Sequence, residues 1–156
     1  MRRVEVLTAL LFVVAACGSD DTEVSSDRHA TRSEPKAQPS GATAVWSVDR
    51  SDPPTEDSES FTAVVTRLEC SGGETGEVLE PTVSPEDDRI VVTFAVEPLP
   101  PRDYTCPGND ERLYIVELGE PVGDRELADG ACLSGDAVPT SFCVGGPVRW
   151  SPRPDP

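Results

Sequence analysis

The sequence predicts an all-β fold: a small, disulfide-braced β-sandwich (Ig-like) or small barrel, preceded by a disordered tether. Valine supplies 14 of the 30 large aliphatic or aromatic residues between positions 43 and 150, and its branched side chain packs well on a pleated sheet. Eleven prolines and ten glycines interrupt the same stretch, so few runs are long enough for a helix. Four cysteines in this region could form two disulfides.

Seven short segments have the composition of β-strands bounded by turns. The strongest prediction is residues 89–96, a β-branched run that ends before a Glu-Pro pair, and the next is residues 112–118, which end before Gly119. The predicted strands are, in order, residues 43–49, 61–68, 77–80, 89–96, 112–118, 125–128 and 147–150.

Residues 61–68 allow two interpretations. Their apolar positions have the spacing of one face of a helix, and Asp57 or Ser58 could cap its N-terminus. Four of the eight residues are β-branched, however, and Cys70-Ser-Gly-Gly follows almost directly. We therefore expect a strand.

The N-terminus has the pattern of a secretory signal. Arg2 and Arg3 precede an apolar run at residues 6–16, which is shorter than the roughly 20 residues that a membrane-spanning helix needs. The run ends in Val14-Ala-Ala-Cys17, which resembles the bacterial lipobox, where small residues fit the signal peptidase and the cysteine thiol takes a diacylglycerol. The resemblance implies cleavage after residue 16, acyl chains such as palmitate on Cys17, and anchoring on the outer face of the cell membrane.

Composition divides the chain into four parts. Residues 1–16 are the cleaved signal peptide, residues 17–42 the lipidated cysteine and a disordered acidic tether, residues 43–150 the β domain, and residues 151–156 a proline-rich tail. Residues 18–40 contain only three apolar side chains, too few to offset the entropy lost on ordering.

The chain is strongly acidic, with 29 Asp and Glu against 13 Lys and Arg and a formal net charge of −16. Proteins bind nucleic acids and anionic lipid surfaces with clustered cations that displace counterions. The sequence therefore predicts no nucleic-acid partner, and attachment to the membrane only through the acyl chains on Cys17.

Cys70, Cys106, Cys132 and Cys143 remain once Cys17 is assigned to lipid. An even number of cysteines in an extracytoplasmic chain predicts two disulfides, with three possible pairings. We favour Cys70–Cys106 with Cys132–Cys143, because a short loop containing Gly and Pro joins the second pair. No two of these cysteines have the C-x₂-C spacing that is typical of zinc or redox sites.

The predicted β domain lacks histidine and lysine, two side chains that often serve as a catalytic base. The only histidine, His29, and the only lysine, Lys36, lie in the tether, and no G-x-S-x-G motif occurs, so a serine triad is excluded. We predict no catalytic residue and no cofactor. A hydrolase that uses carboxylates alone is left as an alternative.

Two acidic clusters leave a calcium sensor as a further alternative. Residues 86–88 (Glu-Asp-Asp) and 109–111 (Asn-Asp-Glu) each group three oxygen ligands in a predicted turn. Neither has the spacing or the glycine of an EF-hand loop. We favour solvated turns that discourage edge-to-edge pairing of strands, and we predict no metal site.

The loop that begins at Gly119 is the candidate binding site. Gly119 and Gly123 can adopt positive φ, and a proline stiffens the loop between them. Asp124 and Arg125 could present a binding surface. They could equally pair with each other and only hold the loop.

Several motifs resemble those of uncharacterised secreted lipoproteins of high-GC Gram-positive bacteria. Besides the lipobox, they are Cys70-Ser-Gly-Gly, the strand at residues 90–96, Tyr104-Thr-Cys-Pro-Gly-Asn109, residues 116–127 and Asp129-Gly-Ala-Cys132. The likeness spans residues 61–132 and brings no substrate or catalytic residue with it. It implies a domain held in the cell-wall zone by its tether.

The sequence therefore predicts a lipid-anchored, non-catalytic binding module in the cell envelope, with a small-ligand sensor as the alternative. The expected partners are the membrane, through Cys17, and an envelope protein or a cell-wall component.

Overall fold

The computed structural model of the chain describes residues 40–152. They contain eight β-strands and two single-turn 3-10 helices, and no α-helix lies among them, so the all-β prediction is confirmed. The strands are β1 (Ala42–Val48), β2 (Ser60–Arg67), β3 (Thr82–Pro85), β4 (Arg89–Thr93), β5 (Ala95–Val96), β6 (Arg112–Glu117), β7 (Glu126–Asp129) and β8 (Val148–Trp150). The 3-10 helices are Gly130–Cys132 and Ser141–Cys143.

The strands form two four-stranded sheets that make a curled half-barrel. Sheet 1 has the order β5-β1-β2-β6, and sheet 2 has the order β3-β4-β7-β8. Neighbouring strands are antiparallel except for β4 and β7, which run parallel.

One continuous segment takes part in both sheets. The sequence predicts a single strand over residues 89–96, but the structure divides it at Phe94, with β4 in sheet 2 and β5 in sheet 1. Phe94 is buried between Trp46 and Tyr114, at ring-centroid distances of 6.3 and 5.4 Å. The segment is almost wholly buried on both faces, so it shows no alternation that could mark the change of sheet.

Residues 61–68 form a strand, as predicted. The side chains of Phe61, Ala63, Val65 and Arg67 are buried in β2, and those between them are half-buried. This period of two is that of a strand, and it is incompatible with a helical face.

Two strand predictions differ from the structure. β3 was not predicted, because Pro81 precedes it and Pro85 ends it, and proline normally interrupts a ladder. Residues 77–80 were predicted to form a strand but contribute only a single bridge, between Val78 and Val96.

The domain boundaries also shift slightly. β1 begins at Ala42, which the sequence assigns to the tether, and Ser151 and Pro152, assigned to the tail, are half-buried. The predicted signal peptide, Cys17 and nearly all of the tether lie outside the described residues. Within residues 40–152, no helix is long and apolar enough to cross a bilayer.

The larger of two apolar clusters fills the space between the sheets. Trp46 packs on Phe61 with ring centroids 5.2 Å apart, and its indole N–H donates to the Val92 carbonyl at 2.9 Å, so the buried ring leaves no polar atom unsatisfied. The other buried members are Ala44, Val48, Ala63, Val65, Ile90, Val92, Phe94, Val96, Val116, Leu118, Val122 and Leu127.

The two disulfides pair Cys70 with Cys106 and Cys132 with Cys143, which is the pairing favoured from the sequence. The second bridge closes a loop that carries both 3-10 helices. We call residues 130–147 the lid. The lid packs on Val45, whose side chain lies on the outer side of β1, and builds the smaller apolar cluster there.

Candidate binding surface

The outer side of sheet 1 carries an exposed apolar surface formed by Val64 of β2, Leu113 and Ile115 of β6, and Phe142 of the lid. We call it the outer apolar face. Leu113 and Ile115 are 68% and 65% exposed, and Phe142 is 46% exposed. Strand pairing places Val64 opposite Leu113, and Val64 and Phe142 line one groove of about 170 Å³. Contiguous exposed apolar surface is a common feature of interaction sites, so the outer apolar face is the candidate binding surface.

The sequence located β6 but not this surface. Apolar residues fall on both faces of the strand, because Tyr114 and Val116 alternate with Leu113 and Ile115. Tyr114 and Val116 pack against the core, so Leu113 and Ile115 point outward. An apolar run of this kind indicates that apolar side chains lie on both faces of the strand. Only the place of the strand in its sheet decides whether Leu113 and Ile115 or Tyr114 and Val116 are exposed.

β6 is an edge strand, and no other described strand pairs with its outer edge. The Leu118 N–H donates to the Glu59 carbonyl, which fixes the bonding pattern between β6 and β2. By the alternation of an antiparallel ladder, the N–H and C=O groups of Leu113, Ile115 and Glu117 point away from β2. These six backbone groups can pair with another extended chain.

A groove of about 470 Å³ lies along the same edge. Tyr114 and Ile115 line it from sheet 1, and Pro81 and Val83 line it from the side of sheet 2. The groove is therefore the open side of the half-barrel, where the edge of β6 faces that of β3.

A buried carboxylate links the two sheets on the side where β1 approaches β7. Asp129 ends β7 and is 0% exposed. Its carboxylate accepts from the backbone N–H groups of Trp46 and Ala131 at 3.2 and 3.0 Å and from the Arg149 guanidinium at 3.0 Å. Burial raises the pKa of Asp129 above its ordinary value, and the hydrogen bond from Arg149 opposes that rise. The Asp129 side chain thus links the backbone of Trp46 in sheet 1 to Arg149 in sheet 2.

The predicted binding loop is shaped as expected, with Gly119 and Gly123 at φ of +77° and +66°. Arg125 donates to two backbone carbonyls of the loop and pairs with Glu120 at 2.7 Å, and its side chain is largely buried. Asp124 is exposed. Arg125 therefore holds the loop through Glu120 rather than through Asp124, and neither predicted residue belongs to the outer apolar face.

The two acidic clusters make contacts within the fold. Glu86 and Asp88 both pair with Arg89, and the hydrogen bond from Arg89 lowers the pKa of Asp88. The Asn109 amide donates to two backbone carbonyls beside Cys70, and Asp110 pairs with an arginine of β6 at 2.8 Å. Within residues 40–152, no three His, Cys, Asp or Glu side chains are placed to hold a metal ion.

The described residues carry a large acidic excess, with 22 Asp and Glu against seven Arg and no Lys. Five of the seven arginines pair with carboxylates: Arg67, Arg89, Arg112, Arg125 and Arg149. The domain surface therefore attracts cations and repels anions.

Fold and surface together define an all-β, disulfide-braced domain with an exposed apolar edge strand. Comparison of the chain with protein-family models, with curated proteins and with solved structures found no match.

Proposed function

We propose that the chain is a lipid-anchored extracytoplasmic protein whose β domain is a non-catalytic binding module of the cell envelope, with the outer apolar face as its binding surface. The observation that carries the proposal is the exposure of Leu113 and Ile115 on an edge strand. Proteins usually protect such edges with short strands, charged side chains or proline. A six-residue edge strand with two outward aliphatic side chains is instead suited to a partner.

The location rests on two further observations. The lipobox-like sequence ending at Cys17 supplies the anchor, and the two disulfides are of the kind that persists in oxidising compartments. The acidic surface favours a position away from anionic headgroups, which suits a domain on a tether.

Replacing the cysteine of the lipobox tests the anchor. In cells fed labelled palmitate, the wild-type chain should take up label and lose residues 1–16, because acylation of Cys17 precedes cleavage. Cys17→Ser should carry no label and keep the mass of residues 1–16. Label that persists in Cys17→Ser would contradict the anchor.

Leu113→Thr/Ile115→Thr tests the surface while placing β-branched residues, which favour strands, at both positions. Both positions are exposed, so the melting temperature should stay within a few degrees of the wild type. Partners cross-linked to the wild-type chain in cells should be lost or fall about tenfold when counted by mass spectrometry, because their apolar contacts are gone. Leu133→Thr/Val138→Thr is the matched control, since both side chains are 45% exposed on the lid and outside the outer apolar face. Equal cross-linking by both double variants would contradict the proposal.

A further inference from the structure

From the geometry of β6 we infer that the partner docks by adding an extended strand to this edge, and that the added strand is a basic peptide segment, with apolar residues at its centre and Lys or Arg at its ends. The inference rests on the proposed function and names the occupant of its binding surface.

The backbone of β6 supplies the first argument. The N–H and C=O groups of Leu113, Ile115 and Glu117 point to the open edge in a regular six-residue strand. An extended peptide can satisfy all six groups by main-chain hydrogen bonds, which is the mode of recognition known as strand addition.

The two faces of the added strand supply the second argument. Its successive side chains point to opposite sides of the sheet. On the outer side they would lie beside Leu113 and Ile115. On the inner side they would enter the groove lined by Tyr114, Pro81 and Val83. Leu113 and Ile115 on the outer side, and Pro81, Val83 and the Tyr114 ring on the inner side, favour apolar residues on both faces at the centre of the peptide.

The carboxylates around β6 indicate which residues the ends of the peptide should carry. Glu111 and Glu117 flank the exposed pair on β6, and Glu80 and Glu117 both line the groove. The arginine of β6, Arg112, is paired with Asp110 and so offers little to an anionic partner. Lys or Arg at both ends of the peptide complements this arrangement.

The same charges disfavour a second copy of the chain. Antiparallel pairing of β6 with its own copy, in the register that sets Leu113 opposite Ile115, also sets Glu111 opposite Glu117. Like charges directly opposite each other destabilise such a pair, and each domain carries the same acidic excess.

The test uses the full chain in mild detergent and a nine-residue peptide with two lysines at each end and alternating valine and isoleucine between them. Two control peptides accompany it. One carries N-methyl groups on all five central residues, which keeps its charge but removes the central N–H donors from both edges, and the other has glutamate in place of lysine. Affinity is measured by calorimetry, and protection of backbone amides by hydrogen exchange with mass spectrometry.

We expect the lysine peptide to bind, to slow exchange in the segment that contains β6, and to bind about tenfold more tightly than the N-methylated peptide. Ile115→Pro should weaken binding by a similar factor, because it removes an N–H that points to the open edge and leaves the bonds to β2 in place. The N-methylated peptide gives the same information without changing the protein, so misfolding of Ile115→Pro would not obscure the result.

Each contrary result would overturn one part of the inference about the partner. Equal affinity for the N-methylated peptide would overturn strand addition and leave only charge attraction. Equal affinity for the glutamate peptide, or no binding of the lysine peptide, would overturn the basic partner. A dimer in sedimentation experiments that Ile115→Pro dissociates would replace the peptide by a second copy. The proposed function would survive all three, since it depends on the cross-linking of Leu113→Thr/Ile115→Thr.

Discussion

Replacing Asp129 by alanine is expected to lower the free energy of unfolding by about 3–5 kcal/mol, the typical cost of removing one partner from a buried ion pair. The substitution leaves the largely buried Arg149 guanidinium without its carboxylate. It also leaves the backbone N–H groups of Trp46 and Ala131 without their acceptor. Urea denaturation followed by Trp fluorescence measures the loss, and a change below about 1 kcal/mol would contradict the role of Asp129 in joining the sheets.

Asp129→Asn removes the titrating carboxyl and so tests how the free energy of unfolding depends on pH. Burial raises the pKa of Asp129 in the folded chain above the ordinary 3.8, so protonation favours folding. The stabilisation that comes from binding this proton is fully present below pH 3.8 and is lost as the pH rises through the folded-state pKa. The wild-type free energy of unfolding should therefore fall relative to that of Asp129→Asn above pH 3.8. A relative rise would mean that Arg149 lowers the pKa instead.

Phe94→Ala should cost about 3–5 kcal/mol, because it opens a cavity that the surrounding strands cannot fill. Phe94 is almost fully buried and contacts the rings of Trp46 and Tyr114 at the point where the chain passes from sheet 2 to sheet 1. The matched control is Phe142→Ala, which removes the same side chain from an exposed position of the lid.

Chemical denaturation of both variants compares the loss of a buried Phe side chain with the loss of an exposed one. Phe142→Ala should change the free energy of unfolding by less than about 0.5 kcal/mol, as exposed positions usually do. If the two substitutions cost the same, Phe94 would not be the packing centre that its burial indicates.

Local pattern was enough to predict most of the strands. The β-branched residues of segment 61–68 outweighed its helical spacing, and the structure alternates there with a period of two. β3 was missed because Pro81 and Pro85 bracket it, and Pro85 is tolerated since β3 is an edge strand of sheet 2.

The binding surface depends on information that local pattern does not contain. Leu113 and Ile115 could be assigned to the outside only once β6 was known to be an edge strand with Tyr114 on the core side. Asp129 shows the same limit. An acidic residue after a short apolar run is typical of a turn, and its burial follows from the approach of Arg149, 20 residues along the chain.

The passage of residues 89–96 through both sheets bears on how fast the proposed partner would bind. One chain segment belongs to both layers, and Asp129 links them through Trp46 and Arg149, so we expect the two sheets to move as one body. The proposed partner would then meet β6 in the same position before and after binding. Encounter would then be limited by orientation rather than by opening of the domain, with association rates of about 10⁵–10⁷ M⁻¹s⁻¹, raised further for a cationic partner at low salt. Differences in affinity among partners would appear in how long each complex lasts.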